Sequence, residues 1–230
     1  MDHRNPCRGI EKNSENRRER FLSAPEIARL ISVLDGHPER ASAAAIKLLL
    51  LTGARRSEAL GAEWSEFDLV ERIWTKPSAH TKQRKVHRVP LSSPAIELLR
   101  AVRAEQEQAV VEARKRGIVR PLGKYVFPGA PGQPLREVKR LWASVCKSAD
   151  ISDVHLLDLR HSFASVLASS GHSLPIIGRM LGHTQSQTTM RYSHLADDPL
   201  RVAAELAGKV IIEAKDDKVV VPMVPRNRLK

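Results

Sequence analysis

Between Ser23 and Ala214 apolar residues recur at helical spacing in almost every segment, and one short interval breaks that rhythm. The interval holds three brief extended runs, Trp64 to Asp68, Ile73 to Thr75 and Val86 to Pro90, with a charged turn between the last two. Runs this short pair with their neighbours through tight connections. The pattern therefore predicts a mainly helical α+β fold with a small antiparallel three-stranded sheet. Helix signals frame it on both sides. Ser23 and Glu26 form a capping-box pattern ahead of Ile27, Leu30, Ile31 and Leu34. Ala41 to Leu51 reads as a buried helix stopped at Thr52-Gly53, and Ser93-Pro94 opens a helix that runs to Gly117. Further helices are expected over Leu135–Ala149, Asp158–Ser170, Ser173–Gly182, Gln187–His194 and Pro199–Ala214.

The 230 residues suffice for one well-buried domain with tails. Residues 1–20, charged and without periodicity, read as an interdomain linker or N-terminal arm. Residues 21–214 read as the domain and 215–230 as a C-terminal tail. The N-terminus lacks the apolar core of a secretory signal, and no apolar run approaches the ~20 residues of a membrane span. Cys7 and Cys146 are far apart and form no paired motif, as expected of free thiols in a reducing compartment. These features predict a cytoplasmic protein with no membrane partner. A formal charge of +12 and a pI near 10.2 favour a polyanion, and nucleic acid is the commonest.

Five side chains stand out as a group. Arg55 follows the helix stop in Thr-Gly-Ala-Arg-Arg-Ser-Glu, where Gly53 permits a sharp turn and Glu58 is placed to hold the guanidinium in a bidentate ion pair. Alone, Arg55 reads as a solvated arginine at a helix start, and Arg56 beside it as a solvated or phosphate-touching one. Lys82 lies in a basic hairpin with Arg84, Lys85 and Arg88, suited to a DNA groove or a phosphate track. Arg160 sits on a helix whose Leu156, Leu159, Phe163 and Leu167 face a core; Asp158 and His161 beside it read as structural or solvated. His183 follows Leu181-Gly182, where a glycine ends one helix and turns the imidazole toward a site. Tyr192 comes nine residues later in polar Gln-Thr-Thr-Met-Arg-Tyr-Ser-His, which does not look like a core stripe. The other tyrosine, Tyr125, fits an ordinary half-buried ring. A phenol with a free pKa near 10 needs cations or a base to act as a nucleophile, and the group supplies both.

In this order and spacing the motifs resemble the catalytic domain of tyrosine recombinases, the phage-integrase family, over nearly all of residues 20–210. The resemblance implies that Tyr192 attacks a DNA phosphate to form a 3′-phosphotyrosyl bond and frees a 5′ hydroxyl. A second 5′ hydroxyl then rejoins the strands. Arg55 and Arg160 stabilise the five-coordinate transition state, each contact being worth about 3–4 kcal/mol. Lys82 protonates the leaving 5′ oxygen, with Lys85 the alternative because hairpin register is open; His183 completes the catalytic set. Arg56, Arg84, Lys85 and Arg88 contact DNA. No cofactor or metal is implied. The partner is double-stranded DNA, met by a free monomer that assembles as a homotetramer, with the last helix docking on a neighbour or on its own chain. Integration of a mobile element is the outcome expected by analogy.

Two departures bear on activity. The family carries His-x-x-Arg at the second arginine, but the residue three before Arg160 is Leu157. Loss of an acid–base imidazole costs roughly 10² to 10⁴ in rate. His155 replaces it only if the backbone differs locally. The chain also starts near the family's interdomain linker and reads as a catalytic domain alone, with weak, salt-sensitive DNA affinity. An impaired DNA-binding remnant is thus the alternative reading. A metal-dependent hydrolase built on the histidines lacks His-Glu-x-x-His and a carboxylate cluster.

Overall fold

A computed structural model of the protein describes residues 20–77, 86–119 and 121–213. Residues 1–19 of the N-terminal arm, the hairpin tip and the C-terminal tail named above lie outside the described residues.

Helix α1 (Ala24–Asp35) opens as its sequence predicts: Ser23 caps it and Glu26 returns the bond to the Ser23 backbone. Helix α2 (Arg40–Thr52) is the axis of the domain. Its Ala-Ser-Ala-Ala-Ala-Ile run and following leucines are apolar nearly all round, and they are buried from Ser42 through Leu50 apart from Lys47. A helix of that kind must be surrounded. α1, α4 (Ser93–Lys115), α5 (Lys139–Ser148) and α6 (Leu156–Ser169) all pack against it. The short α3 (Arg56–Leu60) follows directly.

The sheet has the expected topology, β1-β2-β3 in antiparallel order, with β1 Phe67–Asp68, β2 Ile73–Lys76 and β3 His87–Pro90. Trp74 pairs with both Phe67 and Val89, and Lys76 pairs with His87. Trp74 is fully buried and stacks on Phe67 at 4.9 Å between ring centres. The first extended run is shorter than predicted, because Trp64–Glu66 forms a 3₁₀ turn before β1.

Two helix starts also shift. α5 begins at Lys139 rather than Leu135, because the Leu135 backbone N–H is bound to the Phe127 carbonyl at 2.8 Å and holds that stretch extended. α6 begins at Leu156 rather than Asp158, since Asp158 is its third residue and accepts the His155 backbone N–H at 2.7 Å.

The main core gathers α1, α2, α4, α5 and the sheet. A second, smaller core lies between α6, α7 (Leu174–Leu181) and the segment after it, formed by Ala164, Ala168, Ile177, Leu181 and Tyr192. That segment is α8 (Ser186–Thr189) followed by a 3₁₀ run over Met190–Ala196, where one helix was expected. α9 (Asp197–Glu213) closes the described chain, with Val202, Leu206, Ile211 and Ile212 exposed. No described helix is long and apolar enough to cross a membrane.

Candidate active site

At the seam between the two cores four of the predicted residues, Arg55, Arg160, His183 and Tyr192, come together. At the end of α2, Gly53 adopts a left-handed φ of +61°. A Cβ there would lie 2.6 Å from Phe163 Cδ1 and 2.8 Å from Leu181 Cδ2, so only glycine fits. The turn places Arg55 at the start of α3. Glu58 holds it there, accepting the Arg55 backbone N–H at 3.1 Å and the guanidinium Nη1 at 2.7 Å. The predicted bidentate pair is thereby corrected. Glu58 gives the guanidinium one oxygen, and its other oxygen takes Lys76 Nζ at 2.8 Å. The Lys76 and Glu58 side chains are only 2% and 1% exposed, whereas Arg55 keeps 24%.

Arg160 registers three segments. Its Nη1 donates to the Gly53 carbonyl at 2.6 Å and its Nη2 to the Leu181 carbonyl at 2.7 Å. Those carbonyls lie two residues before Arg55 and two before His183. One guanidinium therefore ties α6 to the turn that carries the first arginine and to the turn that carries the imidazole. Gly182, left-handed at φ +69°, makes that second turn, and its open face sits 2.8 Å from the His87 ring as a Cβ would measure it.

His183 Nδ1 meets the Thr189 hydroxyl at 2.8 Å. The Tyr192 hydroxyl meets Nδ1 of His161 at 2.7 Å. Two readings from sequence are corrected here. Tyr192 is 4% exposed and belongs to the second core, because α6 and α7 supply the apolar cover that its polar neighbours in sequence do not. His161 is neither solvated nor merely local, because it is bonded to the phenol.

Electrostatics follow from this packing. Burial pushes the Arg160 guanidinium down to about 10, with Arg55 acting in the same direction. Burial, then Arg160, Arg55, His161 and Arg191, push His183 down to about 4. His161 is lowered by burial and by Arg191. Burial raises Tyr192 above an ordinary phenol, while Arg191 and Arg160 pull against it. Burial alone raises the Glu58 carboxyl, but Lys76 and Arg55 outweigh it and hold it below the usual carboxylate range. The site is thus a concentration of positive charge around a phenol and two neutral imidazoles, which suits an anion with developing charge.

The remaining predicted residues divide. Lys82, Arg84 and Lys85 lie outside the described residues. Arg56 and Arg88 are exposed. Arg88 borders a cleft of about 590 Å³ between β3 and α7, with His87, Arg179, His183 and Thr184 along it. Leu157 is 60% exposed on α6, and the His155 side chain is 70% exposed ahead of the helix, away from the role of a substitute imidazole. Among the described residues no three His, Cys, Asp or Glu side chains converge as metal ligands.

Sequence reasoning missed Lys76, His161 and Arg191. Lys76 carried a usable signal: two residues after Trp74 on a strand, it shares the buried face. His161 carried none, because its bond to the nucleophile joins residues 31 apart in sequence; Arg191 stands next to Tyr192 and over its ring, and was passed over in a polar run.

Comparison with known proteins bears on what this site does. A family model described as the phage integrase family matches residues 20–198. The tyrosine recombinase XerC of Azotobacter vinelandii is 29% identical over 92% of this chain and 68% of its own length. The tyrosine recombinase XerD of Corynebacterium glutamicum is 32% identical over 78% of this chain and 58% of its own length. The integrase of Salmonella phage P22 is 26% identical over 81% of this chain and 46% of its own length. The chain thus spans from about half to two thirds of these relatives. Among solved structures, XerA recombinase superposes with a TM-score of 0.62 at 26% identity, covering 82% of this chain and 65% of that one. The catalytic domain of bacteriophage HP1 integrase superposes with a TM-score of 0.57 at 24% identity, covering 80% and 93%, a likeness of fold.

Proposed function

This chain belongs to the phage integrase family, and from that premise we propose that it recombines DNA at specific sites by cleaving and rejoining strands through Tyr192. The observation that carries the reading is the Arg160 guanidinium, which ties the turns bearing Arg55 and His183 to α6, whose next residue, His161, is bonded to Tyr192.

In this reading the scissile phosphate enters beside Arg55 and Arg160. Arg55 retains guanidinium donors beyond its contact with Glu58, and these bind a non-bridging oxygen. Arg160 supplies fixed charge from a guanidinium already oriented by two carbonyls, so little reorganisation is needed as the phosphorane forms. Tyr192 attacks the phosphorus in line, and the P–O5′ bond breaks. The free 5′ hydroxyl leaves, and the strand remains bound as a 3′-phosphotyrosyl ester. The bond energy is conserved for rejoining, so the reaction draws on no nucleotide or metal. Lys82 on the β2–β3 connection is the acid for the leaving oxygen, and Arg56, Arg84, Lys85 and Arg88 follow the phosphates.

His183 acts as a neutral donor. With the Thr189 hydroxyl donating to Nδ1, the ring carries its proton on Nε2 and offers it to the phosphate. A value near 4 keeps it in that form at neutral pH.

Double-stranded DNA is the partner, and residues 21–214 act as the catalytic unit, flanked by a linker and a tail. The free chain is a monomer in the cytoplasm. The exposed Val202, Leu206, Ile211 and Ile212 of α9 dock on a second copy when a tetramer assembles on DNA.

The test is an SDS-resistant adduct between the protein and supercoiled or nicked DNA. The parent forms it, and Tyr192→Phe does not. Retarded but never covalently bound DNA would instead make the chain a binding module with a disarmed site.

A further inference from the structure

The family's imidazole at His-x-x-Arg is replaced here by the exposed Leu157, so this chain must deprotonate its phenol by another route. The geometry points to one. We propose that His161 is the general base for Tyr192, taking the phenolic proton at Nδ1 as the phosphorus is attacked. The inference rests on the reading of Tyr192 as nucleophile.

Position comes first. Nδ1 lies 2.7 Å from the Tyr192 oxygen, within the range at which a base takes a proton directly, and the rings meet at 48°. His155, the imidazole that sequence spacing offers as a substitute, is at the mouth of α6 and largely in solvent. The Tyr192 hydroxyl is instead hydrogen-bonded to His161.

Rigidity comes second. His161, half-buried on α6, comes one residue after Arg160, whose guanidinium is pinned to two carbonyls. Base and electrophile-binding cation therefore share one helical turn and move together. Tyr192 is held from the other side by the second core.

Protonation state comes third. The charged and titratable groups facing His161 are Arg160 and Asp158 on its own helix, Arg191, Tyr192 and His194 on the 3₁₀ run, Arg20 before α1, and His183. Burial and the Arg191 charge lower the ring, with Arg160 acting likewise and Asp158 opposing. The imidazole is therefore neutral at physiological pH and able to accept. Ground-state transfer from a phenol is uphill. It becomes favourable as the Tyr–O–P bond forms and the phenol acidifies, which is the condition for general-base catalysis.

The step balances. The phenolic O–H breaks, its proton goes to Nδ1, and the oxygen pair forms the bond to phosphorus. The P–O5′ pair leaves with the 5′ oxygen, which takes a proton from the lysine of the β2–β3 connection. On rejoining, imidazolium returns its proton to the departing phenolate.

The experiment measures the initial rate of covalent adduct formation on a supercoiled plasmid between about pH 5 and 8, for the parent, His161→Asn, His161→Phe and Tyr192→Phe. An Asn oxygen can still accept the phenolic hydrogen bond but cannot take the proton. The parent rate falls on acidification in step with the neutral imidazole. His161→Asn binds plasmid as the parent does, forms adduct about 10²–10⁴-fold more slowly, and lacks the acidic limb. A His161→Asn or His161→Phe rate equal to or above the parent's overturns the proposal; a rise would make the contact a latch on the nucleophile. A parent that forms no adduct at any pH overturns the nucleophile reading, and the role of His161 falls with it.

Discussion

Lys76 and Arg55 share one carboxylate: Glu58 takes the lysine ammonium at 2.8 Å on Oε2 and the guanidinium at 2.7 Å on Oε1. The lysine end is sealed from water and the arginine end is not. One negative charge is thus divided between a structural cation and a functional one, and the arginine keeps net positive charge toward the open side. Truncating the lysine leaves the buried Oε2 of Glu58 without the ammonium that neutralises it. Lys76→Met should cost about 3–5 kcal/mol in urea unfolding. Adding Glu58→Gln to it should recover part of that loss, because the stranded charge disappears. A Lys76→Met protein as stable as the parent would contradict the pairing.

Gly53→Ala tests the turn that delivers Arg55. The position combines a left-handed φ with contacts of 2.6 and 2.8 Å from an added methyl to Phe163 and Leu181. Strain and overpacking together predict a loss of about 2–4 kcal/mol. Because Arg160 is bonded to the same carbonyl, adduct formation should drop even under conditions where the variant remains folded. Circular dichroism melts and the adduct assay on one preparation check both.

Acid should destabilise the fold through its half-buried imidazoles. His183 is lowered from 6.5 to about 4 by burial and the surrounding cations. Between those values the unfolded chain binds a proton that the folded chain refuses, so the stability present above pH 6.5 is lost as pH falls toward about 4. His87 and His161 are shifted in the same direction by burial. Urea midpoints across this window should decline on acidification. His183→Gln should show a shallower decline, and an unchanged slope would contradict the neutral, half-buried ring.

Leu157→His restores the family's pattern at a side chain that is 60% exposed. Its melting temperature should match the parent's, since substitutions at such sites are usually within about 0.5 kcal/mol. With His161 already in place as the base, the new imidazole adds one contact to phosphate. Adduct formation should rise about tenfold, in keeping with one hydrogen bond to a charged group. A rise of many thousandfold would mean that the parent lacks a base.

Much of this arrangement was legible before the structure. Helical spacing and capping residues located α1, α2, α4 and α6, and three short extended runs located the sheet, because these signals are local. The spacing of Arg55, Arg160, His183 and Tyr192 led to the family. What escaped were relations carried by distant segments. Nothing around Tyr192 announces its burial, since Ala164, Ala168, Ile177 and Leu181 provide the cover. The extended start of α5 depends on a bond from Leu135 to Phe127 across a loop. His161 looked incidental beside Arg160, and it acquires meaning only where the 3₁₀ run brings the phenol to it.

The central claim is a covalent bond between Tyr192 and the 3′ side of a cleaved DNA strand. The most direct measurement is to digest the purified adduct with protease, identify the nucleotide-bearing peptide by mass spectrometry, and label the freed strand end with a polynucleotide kinase. The account predicts a nucleotide on Tyr192 and a free 5′ hydroxyl that accepts label without phosphatase treatment. A nucleotide on Tyr125, or a blocked 5′ end with a free 3′ hydroxyl, would contradict it.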